Sequence, residues 1–153
     1  MGHTHYWSFT SNRGKTAQME KKYQTGIKKC AKVVRYYSET FGGLSGYTAH
    51  DKTFQYGGLN VNGSSRVGQC EDFIMREHLT QNEASFCKTC QYPYDTVVTA
   101  CLIILKHYLG DSIQVSSDGF VSDWADGLVL AQKVLGLKTL RIPASIKDRA
   151  RVA

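Results

Sequence analysis

The segment from Pro93 to Gly110 restricts this chain most. Between those two residues Val97, Val98 and the unbroken run from Ala100 to Leu105 are apolar on nearly every side. Proline suits a first helical turn, where its missing N–H would have no partner, and glycine suits the residue just past a helix end. A helix that is apolar all round has to be covered all round. The rest of the chain is therefore expected to wrap this one central, buried helix. A bilayer span needs roughly 20 apolar residues in succession, far more than the run from Ala100 to Leu105 supplies, so no membrane is expected as a partner. With 153 residues, 42% of them apolar and 11% aromatic, the chain has the material for a single domain over 1–153 with one core.

The covering elements can be read from periodicity. His5 to Thr10 alternates with strand period, and Ser11-Asn12-Arg13-Gly14 is a turn cluster. From Lys15 to Phe41, Met19, Tyr23, Ile27, Cys30, Val34, Tyr37 and Phe41 recur at steps of four and three, the stripe of a long helix ended by Gly42-Gly43. Residues 42–68 are glycine-rich and read as loop, with one short strand at Leu59 and Val61. Gln69 to Leu79 is expected to form a short helix burying Cys70, Phe73 and Ile74, with Glu71 and Asp72 in its first turn, where the helix dipole favours acids. Ile113 to Ser116 reads as a strand. Ser122 is the expected N-cap of a final helix carrying Trp124, Leu128, Ala131 and Leu135 and ending at Gly136. Lys138 to Ile142 reads as a last strand. The fold expected is α+β, or α/β, with a small central sheet covered by about four helices.

The net charge of +6 is unevenly placed: residues 1–40 hold eight Lys or Arg against two Glu, and the remainder holds eleven of each sign. Lys21, Lys28 and Arg35, with Lys22, Lys29 and Lys32 beside them, give the first helix a basic face. Such a face suits an anionic partner, a nucleic acid included, and equally suits plain solvation. Five cysteines, an odd number, do not form a secreted disulfide framework, and residues 1–5 lack the basic start and apolar stretch of a secretory signal. Reduced thiols and a cytosolic site of action are expected.

Familiar site motifs fail on their spacing. Gly14-Lys15-Thr16 lacks the earlier glycine of a P-loop, because Phe9 stands there. Cys87 and Cys90 have zinc-ligand spacing but no second pair of ligands, so no metal and no cofactor are expected. The densest polar cluster is Lys88-Thr89 followed by Tyr94-Asp95, at the start of the central helix. Helix N-termini present free N–H groups to anions, and a lysine and a threonine there would complete a phosphate site. In the plainer alternative, Asp95 caps the helix and Lys88 is solvated. His5 beside Tyr6 and Trp7 can border a base or belong to the core. Ser117-Asp118-Gly119 follows a strand, where sheets present ligand groups, and is also an ordinary turn sequence.

Taken together, His5-Tyr6-Trp7, Asn62-Gly63, Glu71 with Phe73, Phe86-Cys87-Lys88-Thr89, Pro93-Tyr94-Asp95 and Ser117-Asp118-Gly119 with Trp124 form a pattern. In it the chain resembles a family of small tailed-phage proteins over most of residues 5–136. Cys90 is not a recurring position of that pattern. The resemblance implies a phage origin and a shared polar site. By analogy with other small phage proteins of this kind, it points to counter-defence in the host cytoplasm, the removal of a nucleotide immune signal such as a cyclic dinucleotide.

The expected chemistry is metal-independent phosphodiester cleavage. His5 would serve as general acid or base, Lys88 would offset phosphate charge, and Glu71 or Asp95 would orient or polarise a partner. Tyr6, Trp7 and Tyr94 would shape the base pocket, with Asn62, Thr89 and Asp118 as further ligand contacts. One alternative keeps the pocket without cleavage, as a homo-oligomeric sponge for the nucleotide. The others are a nucleic-acid-binding protein using the Lys21 to Arg35 face and a virion-associated protein.

Overall fold

A computed structural model describes residues 3–10, 16–46, 58–80 and 83–149. The fold is α+β. Strand β1 (Thr4–Phe9) is followed by helix α1 (Ala17–Phe41), strands β2 (Leu44–Gly46), β3 (Leu59–Gly63), β4 (Phe73–Met75) and β5 (Ala84–Lys88), helix α2 (Asp95–Leu109), strand β6 (Ile113–Ser117) and helix α3 (Val121–Leu135). The single sheet expected from sequence is instead two antiparallel three-stranded sheets, in the orders β5-β1-β6 and β2-β3-β4. Three α-helices cover them among the described residues, one fewer than expected, and none is long and apolar enough to cross a membrane.

Helix α2 occupies the centre: its residues from Val97 to Leu105 are all buried. Helix α1 packs on it through the stripe read from sequence, with Met19, Tyr23, Ile27, Cys30 and Val34 buried. The hydroxyl of Thr16 accepts the Met19 N–H and starts α1. Helix α3 packs on both α2 and α1, and against α2 Gly127 lies so close that a Cβ would stand 2.1 Å from Thr99 Oγ1.

Three sequence expectations are corrected. Residues 69–79 do not form a helix: Phe73 and Met75 are buried and Ile74 is 51% exposed, an alternation that pairs β4 with β3. The N-cap of α3 is Phe120, whose N–H is accepted by the Asp123 carboxylate at 2.8 Å, and not Ser122. Residues 138–142 form no strand; Leu140 is buried there as a single apolar anchor.

Candidate functional site

Strand β1 runs through the middle of its sheet. Alternation turns His3, His5, Trp7 and Phe9 toward the interior and Thr4, Tyr6 and Ser8 away from it. His5 pairs in register with Cys87 of β5 and Ser117 of β6. The imidazole is fully buried, and both its nitrogens are engaged: Nδ1 lies 2.8 Å from Ser117 Oγ, and Nε2 lies 2.6 Å from Asp95 Oδ1. The Thr89 hydroxyl donates to the same carboxylate oxygen at 2.6 Å. Ser117 Oγ also accepts the Gly119 N–H at 2.9 Å. A buried carboxylate and imidazole are thus held by two hydroxyls, the satisfaction that burial of such groups demands.

The turn that brings Thr89 and Asp95 together is itself constrained. Cys90 and Gln91 both adopt left-handed backbone, with φ of 55° and 57°, a conformation that disfavours side chains. Across it, Gln91 Nε2 donates to Asp123 Oδ1 at 3.3 Å, linking the turn to the start of α3. The rings of His3 and Trp124 pack edge-on to His5, with centroids 5.3 and 5.1 Å away. His3 Nε2 and Trp124 Nε1 are buried with no hydrogen-bond partner among the described residues. One ligand atom each from His3, His5 and Asp95 lies within 4.8 Å of the others, so these three residues could hold a metal ion.

The remaining residues singled out from sequence fall elsewhere. Lys88 pairs with Thr4, one position out of step with His5, so its exposed side chain extends from the opposite face of the sheet. Glu71 serves the end of β5: its carboxylate accepts the Lys88 N–H at 2.7 Å, and its own N–H is donated to the Lys88 carbonyl at 3.0 Å. Tyr94 is buried, and its hydroxyl donates to the Glu71 carbonyl at 2.7 Å; burial pushes that phenol well above its ordinary range. Trp7 is 4% exposed and packs edge-on to Phe73. Tyr94 lines neither of the two clefts described below, whereas Trp7 contributes to the lining of both. Asn62 is committed to its own loop: its amide donates to Cys70 O and Asp72 Oδ1, and its oxygen accepts the Gly63 and Cys70 N–H groups.

The outward face of the β5-β1-β6 sheet carries a second constellation. Tyr6 and Phe86 are direct cross-strand partners, 41% and 62% exposed. The Tyr6 hydroxyl donates to Asp118 Oδ1 at 3.4 Å. Lys88 lies two residues beyond Phe86 on the same face, and a shallow cleft of about 380 Å³ runs between Tyr6, Phe86, Gln114 and Ser116. A larger cleft of about 540 Å³, lined by Trp7, Ile74, Arg76, His78 and Glu83 among others, lies at the joint of the two sheets. His5 and Asp95 line neither cleft.

Sequence reasoning missed His3 and the orientation of Ser117. The two-residue spacing of His3 and His5 ahead of an alternating strand carries the first signal, since it sets both imidazoles on one face. It also missed the partner of Cys90, whose Sγ lies 2.8 Å from Cys70 Sγ and not near a zinc set with Cys87. Burial, reinforced by the Glu71 charge, pushes the Cys87 thiol up to about 12. No family model, curated protein or solved structure matches the chain.

Proposed function

We propose that the protein binds a nucleotide on the outward face of the β5-β1-β6 sheet and withdraws it from solution. In the setting the phage resemblance implies, this is removal of a host immune signal in the host cytoplasm by sequestration. The observation that carries the reading is the exposed cross-strand pair of Tyr6 and Phe86. Two large rings left in water on adjacent strands form a surface on which bases stack, a contact worth roughly 1–3 kcal/mol per base. Lys88 supplies a cation for phosphate, and Asp118 an acceptor for a base amino group or a ribose hydroxyl. A homo-oligomer, with one sheet face per copy, belongs to this reading and is checked by sedimentation.

Cleavage is the second reading, favoured by the hydrogen-bonded chain of Ser117, His5 and Asp95, an arrangement suited to moving a proton.

The experiment is titration calorimetry with cyclic dinucleotides, linear dinucleotides and ADP-ribose, followed by mass spectrometry of ligand released on heat denaturation. Binding weakened about tenfold or more by Tyr6→Ala and by Phe86→Ala, with ligand recovered intact, supports sequestration. Hydrolysed product, lost in Asp95→Asn, replaces it with the second reading. Absence of binding to every compound refutes both.

A further inference from the structure

We infer that His3, His5 and Asp95 form a binding site for a first-row divalent transition metal. The inference is independent of the nucleotide reading. Two imidazoles and one carboxylate are the donor set such ions take, and three protein ligands leave a position open to water or a substrate oxygen. The ligand atoms lie within 4.8 Å of one another and all three residues are buried. Tetrahedral bonds of about 2.1 Å hold neighbouring ligands roughly 3.4 Å apart, so the site needs to contract by up to about 1.4 Å on one side. On the other side, His5 Nε2 and Asp95 Oδ1, now 2.6 Å apart, open by about 0.8 Å as the ion takes the place of the proton between them.

Three further observations point the same way. His3 is 7% exposed, and its Nε2 has no hydrogen-bond partner among the described residues. A buried imidazole nitrogen without a partner costs free energy unless something occupies it. Gly119 is shaped around that ring: a Cβ there would stand 2.5 Å from His3 Nε2 and 2.6 Å from Cε1, so only glycine lets the imidazole sit where it does. The second layer is also in place. Ser117 Oγ, 2.8 Å from His5 Nδ1, is placed to accept from Nδ1–H in the tautomer that leaves Nε2 free for a metal. When the ion takes the Nε2 lone pair, the ring's single proton moves from Nε2 to Nδ1 by exchange with water, Nδ1–H donates to Ser117 Oγ, and the Ser117 hydroxyl hydrogen turns away. The Thr89 hydroxyl, 2.6 Å from Asp95 Oδ1, holds the carboxylate from the other side.

The test uses the full chain, stripped with a chelator and titrated with Zn²⁺ and with Co²⁺ in separate experiments. One ion per chain is expected, with visible d–d absorption for Co²⁺. At a hundredfold excess of Zn²⁺ over Kd the thermal midpoint should rise by about 5–10 °C. His3→Ala is the decisive variant, because His3 Nε2 makes no bond whose loss would unfold the chain. It should keep its fold by circular dichroism and lose affinity at least a hundredfold. The double variant Cys70→Ser/Cys90→Ser should bind as the wild type does. Binding that persists in His3→Ala, that disappears with the two cysteines, or that is absent from the wild type at millimolar metal overturns the assignment.

Discussion

A single methyl group added at Gly127 tests how the site is held together. Gly127 lies on α3 against α2, and its added Cβ would stand 2.1 Å from Thr99 Oγ1 and 2.9 Å from the Ala100 backbone nitrogen. Ordinary van der Waals contact begins at 3.4 Å, so the methyl is about 1.3 Å too close to the hydroxyl. Thr99 cannot swing away freely, because its hydroxyl donates to the Asp95 carbonyl at 3.0 Å. The helices must separate, or the first turn of α2 must shift and carry Asp95 with it. Overpacking of a tight interface costs about 1–3 kcal/mol, with backbone contacts at the upper end. For a chain of this length that lowers the midpoint of thermal unfolding by roughly 2–12 °C. The assay is thermal denaturation of Gly127→Ala, Thr99→Ala and the double variant by circular dichroism. Because Thr99→Ala removes the nearest atom, the double variant should recover at least about 1 kcal/mol relative to additivity. A Gly127→Ala midpoint within 2 °C of wild type, by the roughly 2–4 °C per kcal/mol scale for such a chain, refutes the close approach of α2 and α3.

Stability should fall at alkaline pH. Cys87, Tyr94 and Tyr23 all have thiol or phenol groups raised in the folded state by burial, so the unfolded chain loses these protons first, from the ordinary values of 9.0 and 10.0 upward. Proton loss favours the unfolded chain above those values, so a urea midpoint constant to about pH 8 and declining by pH 10 is expected, Cys87 alone contributing about 1 kcal/mol of loss; an unchanged midpoint contradicts the assigned burial. In native protein at pH 8 a thiol reagent should modify Cys70 and Cys90, and mild oxidation should join them, while Cys30, Cys87 and Cys101 react only after unfolding. Rapid labelling of Cys87, read by peptide mass spectrometry, would count against its placement. Asn62→Ala should destabilise the fold by about 2–4 kcal/mol in urea, since it strands the Gly63 N–H in a buried site. A stable variant that instead loses nucleotide affinity would make Asn62 a ligand contact.

Much of the helical framework was legible because it rests on local periodicity. The apolar run of α2 and the stripe of α1 depend on residues three and four apart, which a sequence displays directly. The segment 69–79 misled because Cys70, Phe73 and Ile74 fit a helical face, whereas pairing with β3 buries Phe73 and Met75 and exposes Ile74. A strand of three residues is too short for its period to compete with that spacing. The site was legible only in pieces. His5 and Asp95 were singled out, yet their contact spans 90 positions and Ser117 joins from 112 positions away, separations that no local pattern encodes. Lys88 was grouped with them because it neighbours Thr89 in sequence, but a one-residue step along β5 sets it on the other face.

Strand β1 is the middle strand of its sheet, and its partners β5 and β6 are made only after α1, β2, β3 and β4. A nascent chain therefore carries His3, His5, Trp7 and Phe9 with nothing to pair against until Lys88 and then Ser117 have followed. Helix α1 can form locally in the meantime, but the His5 centre cannot exist in any amino-terminal fragment that stops short of β6. Assembly of this sheet is thereby tied to synthesis as far as Ser117, and a ribosome-arrested or truncated product that stops earlier lacks the centre altogether.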